Sequence, residues 1–486
     1  MKKAFQIAYA AVFLAVCALP LALKPFTGKN ADLEKKAEEE QLPSFLREDG
    51  GINNDFSTEF ESYANEQLPL RAELLTAAGF VKGELLHSPS SNVICGKDGW
   101  LFFRDEQADF MDTNAMTDRE LRAAAVTLSL IQERVTAEGG HFTFVPMPNK
   151  SSVYPEQMPA CYRHAAENNL TRLSAVLREY GVNYTDMLSV MTAQKDKGLY
   201  HRRDTHWNYL GALIGYNAIM DALGLPHETY DGVNYTYDQT WDGDLEKLLY
   251  PAGGFKDYQY HFDIAYQPYR FLNPRGVKDQ EAQMAEFMSD RERGDMNIAL
   301  ENRGNPANGK LYMVRDSFGR ALLPLMTDNF KSAEFVRTNR PDLSRASGGA
   351  NMVYEIVERN LRNVTETAPF MTAPQRTEDA VRGASPADGT AKAVCENKGF
   401  AVQICGTLPA ESEPGDGRVY LVLKNETGTQ VFEAFPIYEA EQLGEGDHPG
   451  FSAFLDPQLG LAGDYELTVV TGGRAYGAAP IRILQE

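Results

Sequence analysis

The sequence predicts an α/β protein built on a mainly parallel sheet and followed by a C-terminal β-sandwich. Three observations carry this. Strand-like and helix-like segments alternate from about residue 86 to 370. A stretch rich in Ala, Pro, Gly, Thr and Asp at 372–392 then reads as a linker. Beyond it, short apolar runs recur between turn residues, the texture of a sandwich. At 486 residues the chain is too long for one ordinary core, and two or three domains are expected. Hydrophobic residues at 43% and charged residues at 24% place it among globular chains.

The N-terminus reads as a targeting segment. Met1-Lys2-Lys3 is positive, and no residue from Ala4 to Leu23 is charged. That is about the length that spans a bilayer core, with the flank that leaves the bulk of the chain outside. No clean small-x-small cleavage site precedes Lys24, so residues 1–27 read as an uncleaved anchor. A cleaved signal stays open, and Leu14-Ala15-Val16-Cys17 loosely resembles a lipoprotein box. The chain is therefore expected outside the cytoplasm, anchored or secreted. Residues 28–54, with Glu38-Glu39-Glu40, read as a solvated stalk. The main domain is expected over 55–371, beginning with short helices.

Within it, Trp100 to Phe103 is a short strand. Thr117 and Glu120 form a capping box ahead of a helix whose apolar face is Leu121, Ala125, Leu128, Ile131 and Val135. Gly139-Gly140 ends that helix, and His141 to Val145 and Gly181 to Tyr184 read as strands. A helix follows Trp207, and Leu311 to Val314 is a strand with a turn directly behind it. The C-terminal domain, 393–486, shows strands at 419–423, 431–435, 451–455 and 465–470.

Composition excludes some partners. Lys plus Arg is 47 and Asp plus Glu 68, a net charge of −21. A chain this acidic repels phosphate backbones, so no nucleic-acid partner is expected. Of five cysteines none forms a C-x-x-C pair, and no structural zinc is expected. Cys395 and Cys405 flank a hairpin and permit a disulfide; buried free thiols are the alternative.

Two segments carry chemistry. Arg203-Asp204-Thr205-His206-Trp207 precedes a helix, and Val314-Arg315-Asp316-Ser317-Phe318-Gly319 sits where a strand meets a turn. A serine at such a turn projects its hydroxyl from the sheet edge, beside backbone N–H groups able to bind an oxyanion. It becomes a nucleophile only if a base takes its proton, and a carboxylate must fix that base's tautomer. Asp204 and His206 flank one residue and can both reach toward Ser317 from a neighbouring loop. Either segment alone has an ordinary reading, as a helix cap or a capped loop. No third metal ligand is evident beside them, so neither a metal nor a cofactor is expected.

Asp-Thr-His-Trp at 204–207, Asp-Ser-Phe at 316–318 and Lys97-Asp98-Gly99-Trp100-Leu101-Phe102 together resemble the alginate O-acetyltransferase family and the related DHHW proteins, both SGNH-hydrolase-like. Pro148-Asn149-Lys150, Val153-Tyr154-Pro155, Gly243-Asp244-Leu245 and Tyr354 to Arg359 fit the same order, so the resemblance covers about residues 55–370. It implies a three-layer SGNH-like domain, with Ser317 as nucleophile, His206 as base and Asp204 as the acid that orients it. It further implies acyl transfer, in the first instance acetyl, to a surface or secreted polysaccharide, with a membrane-bound O-acyltransferase as acyl supplier. An esterase using the same triad and a non-catalytic glycan-binding scaffold are the alternatives. Thr205 departs from the second histidine of DHHW proteins, and Arg315 stands where SGNH proteins usually carry glycine.

Overall fold

The computed structural model describes residues 6–7, 43–46, 51–66, 70–85, 92–272, 297–412, 415–437 and 449–484. The expected membrane segment and most of the stalk lie outside them. Among the described residues no helix is long and apolar enough to cross a membrane. Two compact units result, one from residues up to Cys95 with Asp242–Lys256, the other from Gly96–Trp241 with Asp257–Glu486. The residues from 55 to 95 therefore group apart from the α/β layers instead of opening them.

In the smaller unit, helices Phe56–Glu66 and Arg71–Phe80 accompany helix Asp244–Leu249. Gly79 lies against the Leu249 carbonyl, where a Cβ would meet the oxygen at 2.2 Å, so only glycine allows this approach.

The larger unit contains a six-stranded mixed sheet. Its elements are α1 (Asp118–Ala137), β1 (Phe142–Met147), α2 (Asn169–Glu179), α3 (Tyr209–Leu223), β2 (Tyr235–Trp241), β3 (Asp257–Phe262), β4 (Tyr269–Phe271), β5 (Asn297–Asn302), β6 (Asn308–Arg315), α4 (Leu323–Asn329), β7 (Phe330–Arg337) and β8 (Asn351–Val357). The sheet order is β1-β8-β6-β7-β5-β4, parallel across the first four and antiparallel beyond β7. Strands β2 and β3 form a separate antiparallel ribbon. Strands β1 and β8 are buried on both faces, as crossover topology favours; every residue of each is buried. Gly181 to Tyr184 contributes only a bridge from Tyr184 to Phe144, since Asn183 is engaged by α1 through Gln132.

Helix α1 begins at the expected box: the Thr117 hydroxyl accepts from Glu120 N–H, and the Glu120 carboxylate accepts from Thr117 N–H. It buries Ala124, Val126 and Leu130 in addition to the expected stripe. A helix apolar over so wide an arc needs cover on more than one side. The cover comes from the C-terminal strands: Ala401, Phe435, Ile437 and Phe454 belong to the same apolar core as Leu128, Ile131 and Tyr354.

Those strands are β9 (Gln375–Arg376), β10 (Ser385–Asn397), β11 (Val402–Thr407), β12 (Val419–Asn425), β13 (Gly428–Ala434), β14 (Gly450–Leu455), β15 (Gly463–Thr471), β16 (Arg474–Ala478) and β17 (Ile481–Ile483). They make one sheet ordered β9-β13-β12-β15-β16-β10-β11-β14, with β17 on β15. Strand β10 shifts register between Pro386 and Thr390, pairing β16 with its first part and β11 with its last. The sheet thereby folds into two layers around Ile404, Leu421, Phe432, Phe451 and Val469. Phe435 and Ser452 exchange backbone hydrogen bonds, joining the two ends of the sheet.

One expectation is corrected and one open alternative is decided. The segment 372–392 is no free linker: Thr372 bridges Phe454, Gln375–Arg376 pairs with β13, and β10 begins at Ser385. No Cys395–Cys405 bridge forms. Cys395 pairs with Ile404 and Cys405 with Val394, so the two side chains leave opposite faces of the ribbon.

Candidate active site

Three parallel strands end at one sheet edge, and each delivers part of the site there. Strand β6 ends at Arg315 and is followed by Asp316 and Ser317; β1 is followed by Pro148, Asn149 and Lys150; β8 carries Glu355 and ends before Glu358. Carboxyl ends of parallel strands are where α/β sheets leave room for ligands.

The fourth part is the loop before α3. It is closed at its neck by the Tyr200–Trp207 bridge and by Asn208 N–H donating to the Leu199 carbonyl. Lys150 holds it from inside. Its ammonium is fully buried and donates to the carbonyls of His201, Arg202 and Asp204 at 3.1, 3.1 and 2.6 Å. It also lies over the rings of Trp100 and Phe102. A buried charge is tolerated only when its hydrogen bonds are met, and here three loop carbonyls meet them. Lysine thus fixes the path of the segment carrying Asp204 and His206.

The loop and the turn meet. His206 Nε2 is 2.9 Å from Ser317 Oγ, and His206 Nδ1 is 2.7 Å from Asp204 Oδ1. Asp204 Oδ1 also accepts from His206 N–H at 3.0 Å. The Asp204 side chain is wholly enclosed, whereas His206 is 19% exposed, so the chain of hydrogen bonds runs from interior to surface. The three residues singled out in the sequence are therefore brought together. The enclosed carboxylate favours the tautomer with the proton on Nδ1, in which Nε2 is an acceptor facing the serine hydroxyl.

Sequence reasoning missed the groups that hold this chain. Trp241 donates its indole N–H to Asp204 Oδ2 at 3.0 Å and stacks on His201 at 4.7 Å with planes 2° apart. Burial pushes the His201 imidazole down to about 4, so it stacks as a neutral ring. The chain has three tryptophans, and the position of Trp241 beside the Gly243-Asp244-Leu245 segment was the available signal. On the serine side, Asp316 is a structural acid. Its carboxylate accepts from Phe318 N–H and Val357 N–H, both at 2.8 Å, pinning the turn to β8. Asp316 N–H donates to Glu355 Oε2 at 3.0 Å. Burial and then the neighbouring Asp316 push the Glu355 carboxyl well above the usual range. Arg315 is buried with them and donates to the Asp316 carbonyl. A Cβ on Gly319 would meet Arg315 Cβ at 2.7 Å and Glu355 Oε2 at 2.9 Å, so this turn requires glycine. Acidic residues inside the apolar run Val353-Tyr354-Glu355-Ile356-Val357-Glu358 were the signal for this layer.

Glu358 ties the layer to Asn149. It accepts from Asn149 N–H at 2.8 Å, Asn168 Nδ2 at 2.6 Å and the Ser152 hydroxyl at 2.7 Å. Burial, aided by Asp109, pushes it up to about 8 from an ordinary value of 4.5. Between those values the folded protein holds a proton that the unfolded chain has released. Its contribution to stability is therefore full below about pH 4.5 and lost as pH rises through about 8. Melting temperature measured across that interval should fall more steeply with pH in the parent protein than in Glu358→Gln. Equal slopes would contradict a neutral Glu358.

Residues 93–284 match the family model described as SGNH hydrolase-like domain, acetyltransferase AlgX. That stretch of the chain is thus similar to an SGNH-hydrolase-like acetyltransferase domain. The probable alginate O-acetylase AlgJ of Pseudomonas aeruginosa is 26% identical over 163 residues, 33% of this chain and 40% of that protein. AlgJ of Pseudomonas syringae pv. tomato is 23% identical over 240 residues, 46% of this chain and 54% of that one. The chain spans about half the length of the curated relatives it matches. Among solved structures, Bacillus cereus PatB1 aligns at 17% identity and TM-score 0.42, over 54% of this chain and 95% of that one. The AlgX-type match includes Asp204 and His206 and stops before Ser317, so Ser317 joins the site through its geometry.

Proposed function

We propose that this protein is an O-acyltransferase, with acetyl as the group transferred and hydroxyls of a polysaccharide as acceptors. The observation that carries the reading is the continuous hydrogen-bonded chain Asp204–His206–Ser317 at 2.7 and 2.9 Å. Ser317 Oγ gives its proton to His206 Nε2 as it attacks the acyl carbonyl of the donor. Asp204 balances the imidazolium that forms. The oxyanion is received by backbone N–H groups at the turn, that of Ser317 first among them. Collapse returns the proton to the leaving group and leaves an acyl ester on Ser317. A sugar hydroxyl then gives its proton to His206 and takes the acyl group by the reverse steps.

The positive, apolar N-terminal segment supports an extracytoplasmic, membrane-anchored protein, and the reading takes a membrane-bound O-acyltransferase as the acyl supplier. Mass spectrometry of surface glycan from strains with and without the gene tests the reading. Loss of acetyl esters in the deletion strain, restored by the parent gene and not by Ser317→Ala, is expected. Unchanged acetylation, or gain of acetyl esters as an esterase would give, would refute it.

A further inference from the structure

The β2–β3 ribbon turns an aromatic face to solvent. Pairing sets Tyr235 opposite Phe262 and Tyr237 opposite Tyr260, and alternation adds Tyr258 to the same face. Neighbouring ring centroids are 5.5 to 6.4 Å apart. Tyr235, Tyr237 and Tyr258 are 52%, 62% and 50% exposed. The opposite face is polar, with Thr236, Asp238, Gln259 and His261. Water-facing rings belong on the outside of a ribbon only if something covers them in use.

The chemistry of the face selects its occupant. It holds five aromatic rings and no aliphatic side chain, and four of the five carry a phenol hydroxyl. A flat array of amphipathic rings suits the C–H faces of pyranose units, with the phenol hydroxyls placed to hydrogen-bond sugar hydroxyls. A net charge of −21 opposes nucleic-acid strands.

The ribbon is also joined to the active-site loop. Strand β2 has one residue extra between Asp238 and Trp241, so Trp241 pairs with Asp257 and turns to the polar face. From there its indole holds Asp204, while Asp257 accepts from Arg203 N–H at 2.9 Å. The segment that displays the rings thus ends on the residues that position His206.

We propose that the outer face formed by Tyr235, Tyr237, Tyr258, Tyr260 and Phe262 is a subsite that stacks pyranose rings of the acceptor glycan beside the Ser317 centre. The proposal rests on the acyl-transfer reading for the identity of the acceptor, and its test is separate from that reading. Calorimetric titration of the full chain carrying Ser317→Ala, with cellohexaose, chitohexaose and a mannuronate hexamer as probes, measures binding without chemistry. At least one probe should bind. Adding Tyr237→Ala or Tyr235→Ala should weaken it by at least about tenfold, as expected for an aromatic anchor, whereas Tyr237→Trp should keep most of the affinity. Melting temperatures of these variants should match the parent's. Absence of binding by all three probes, or binding indifferent to the tyrosines, overturns the subsite. So does a dimer in sedimentation that Tyr237→Ala dissociates, which would assign the face to a second copy. Tyrosine-dependent binding in a protein without ester turnover would support the subsite and defeat the acyl-transfer reading. Ester turnover without tyrosine-dependent binding would do the reverse.

Discussion

Ser317→Ala and His206→Ala are each expected to lower turnover of a model acetyl ester by at least about 10³-fold, since nucleophile and base act as a unit and removing either removes both. The distances give the physical reason: one proton has a path of 2.9 Å from Ser317 Oγ to His206 Nε2, and the paired Asp204 is enclosed. The double variant should be hardly slower than either single one. Asp204→Asn should lose less than the alanine variants if the ring stays in place, its cost being the wrong tautomer. Trp241→Phe should lose less again, because it removes one hydrogen bond to Asp204 without touching the proton path. Neither serine nor histidine anchors the core, so the unfolding free energy should change by no more than the loss of one hydrogen bond, about 1 kcal/mol. Full activity of Ser317→Ala on the model ester would remove the mechanism.

Deleting residues 393–486 should leave the α/β layers unable to fold. The sequence alone led to the opposite expectation, a separable domain behind a linker. Phe435, Ile437 and Phe454 are buried to 1% exposure or less within the core that contains α1. Truncating one such phenylalanine costs about 3–5 kcal/mol, and an isoleucine about 2–5. Three such losses rival the whole net stability of a domain, about 5–15 kcal/mol. Polar ties go with them. Arg376 spans Glu133 on α1 and Glu433 at 2.6 and 2.7 Å, and Arg119 donates to the Ser412 carbonyl. The truncated chain should be insoluble or should melt without cooperativity in near-ultraviolet circular dichroism. A soluble fragment 1–392 with a sharp transition would show that α1 can be covered in another way.

What was legible in the sequence is what short-range chemistry decides. Thr117 and Glu120 mark the start of α1 because a capping box needs only four residues. The Asp-Ser turn behind β6 and the Asp-x-His loop are local too, since each places its side chains by backbone geometry within a few residues. The four strands expected after residue 393 are present at β12 to β15 because alternation and turn residues set them. Only the tertiary structure decided which of these pieces meet. Ser317 and His206 are 111 positions apart, and the strand order β1-β8-β6-β7 brings their loops to one edge. Lys150 in the loop, Trp241 on Asp204 and Glu355 beneath the serine turn are each set by partners 37 to 54 residues away. The cysteines at 395 and 405 stand apart because register, which ten residues of sequence do not specify, sends them to opposite faces. The shared core under α1 was hidden for the same reason. A composition break records where backbone becomes rich in small and polar residues, while burial is fixed by which apolar faces find each other across the fold.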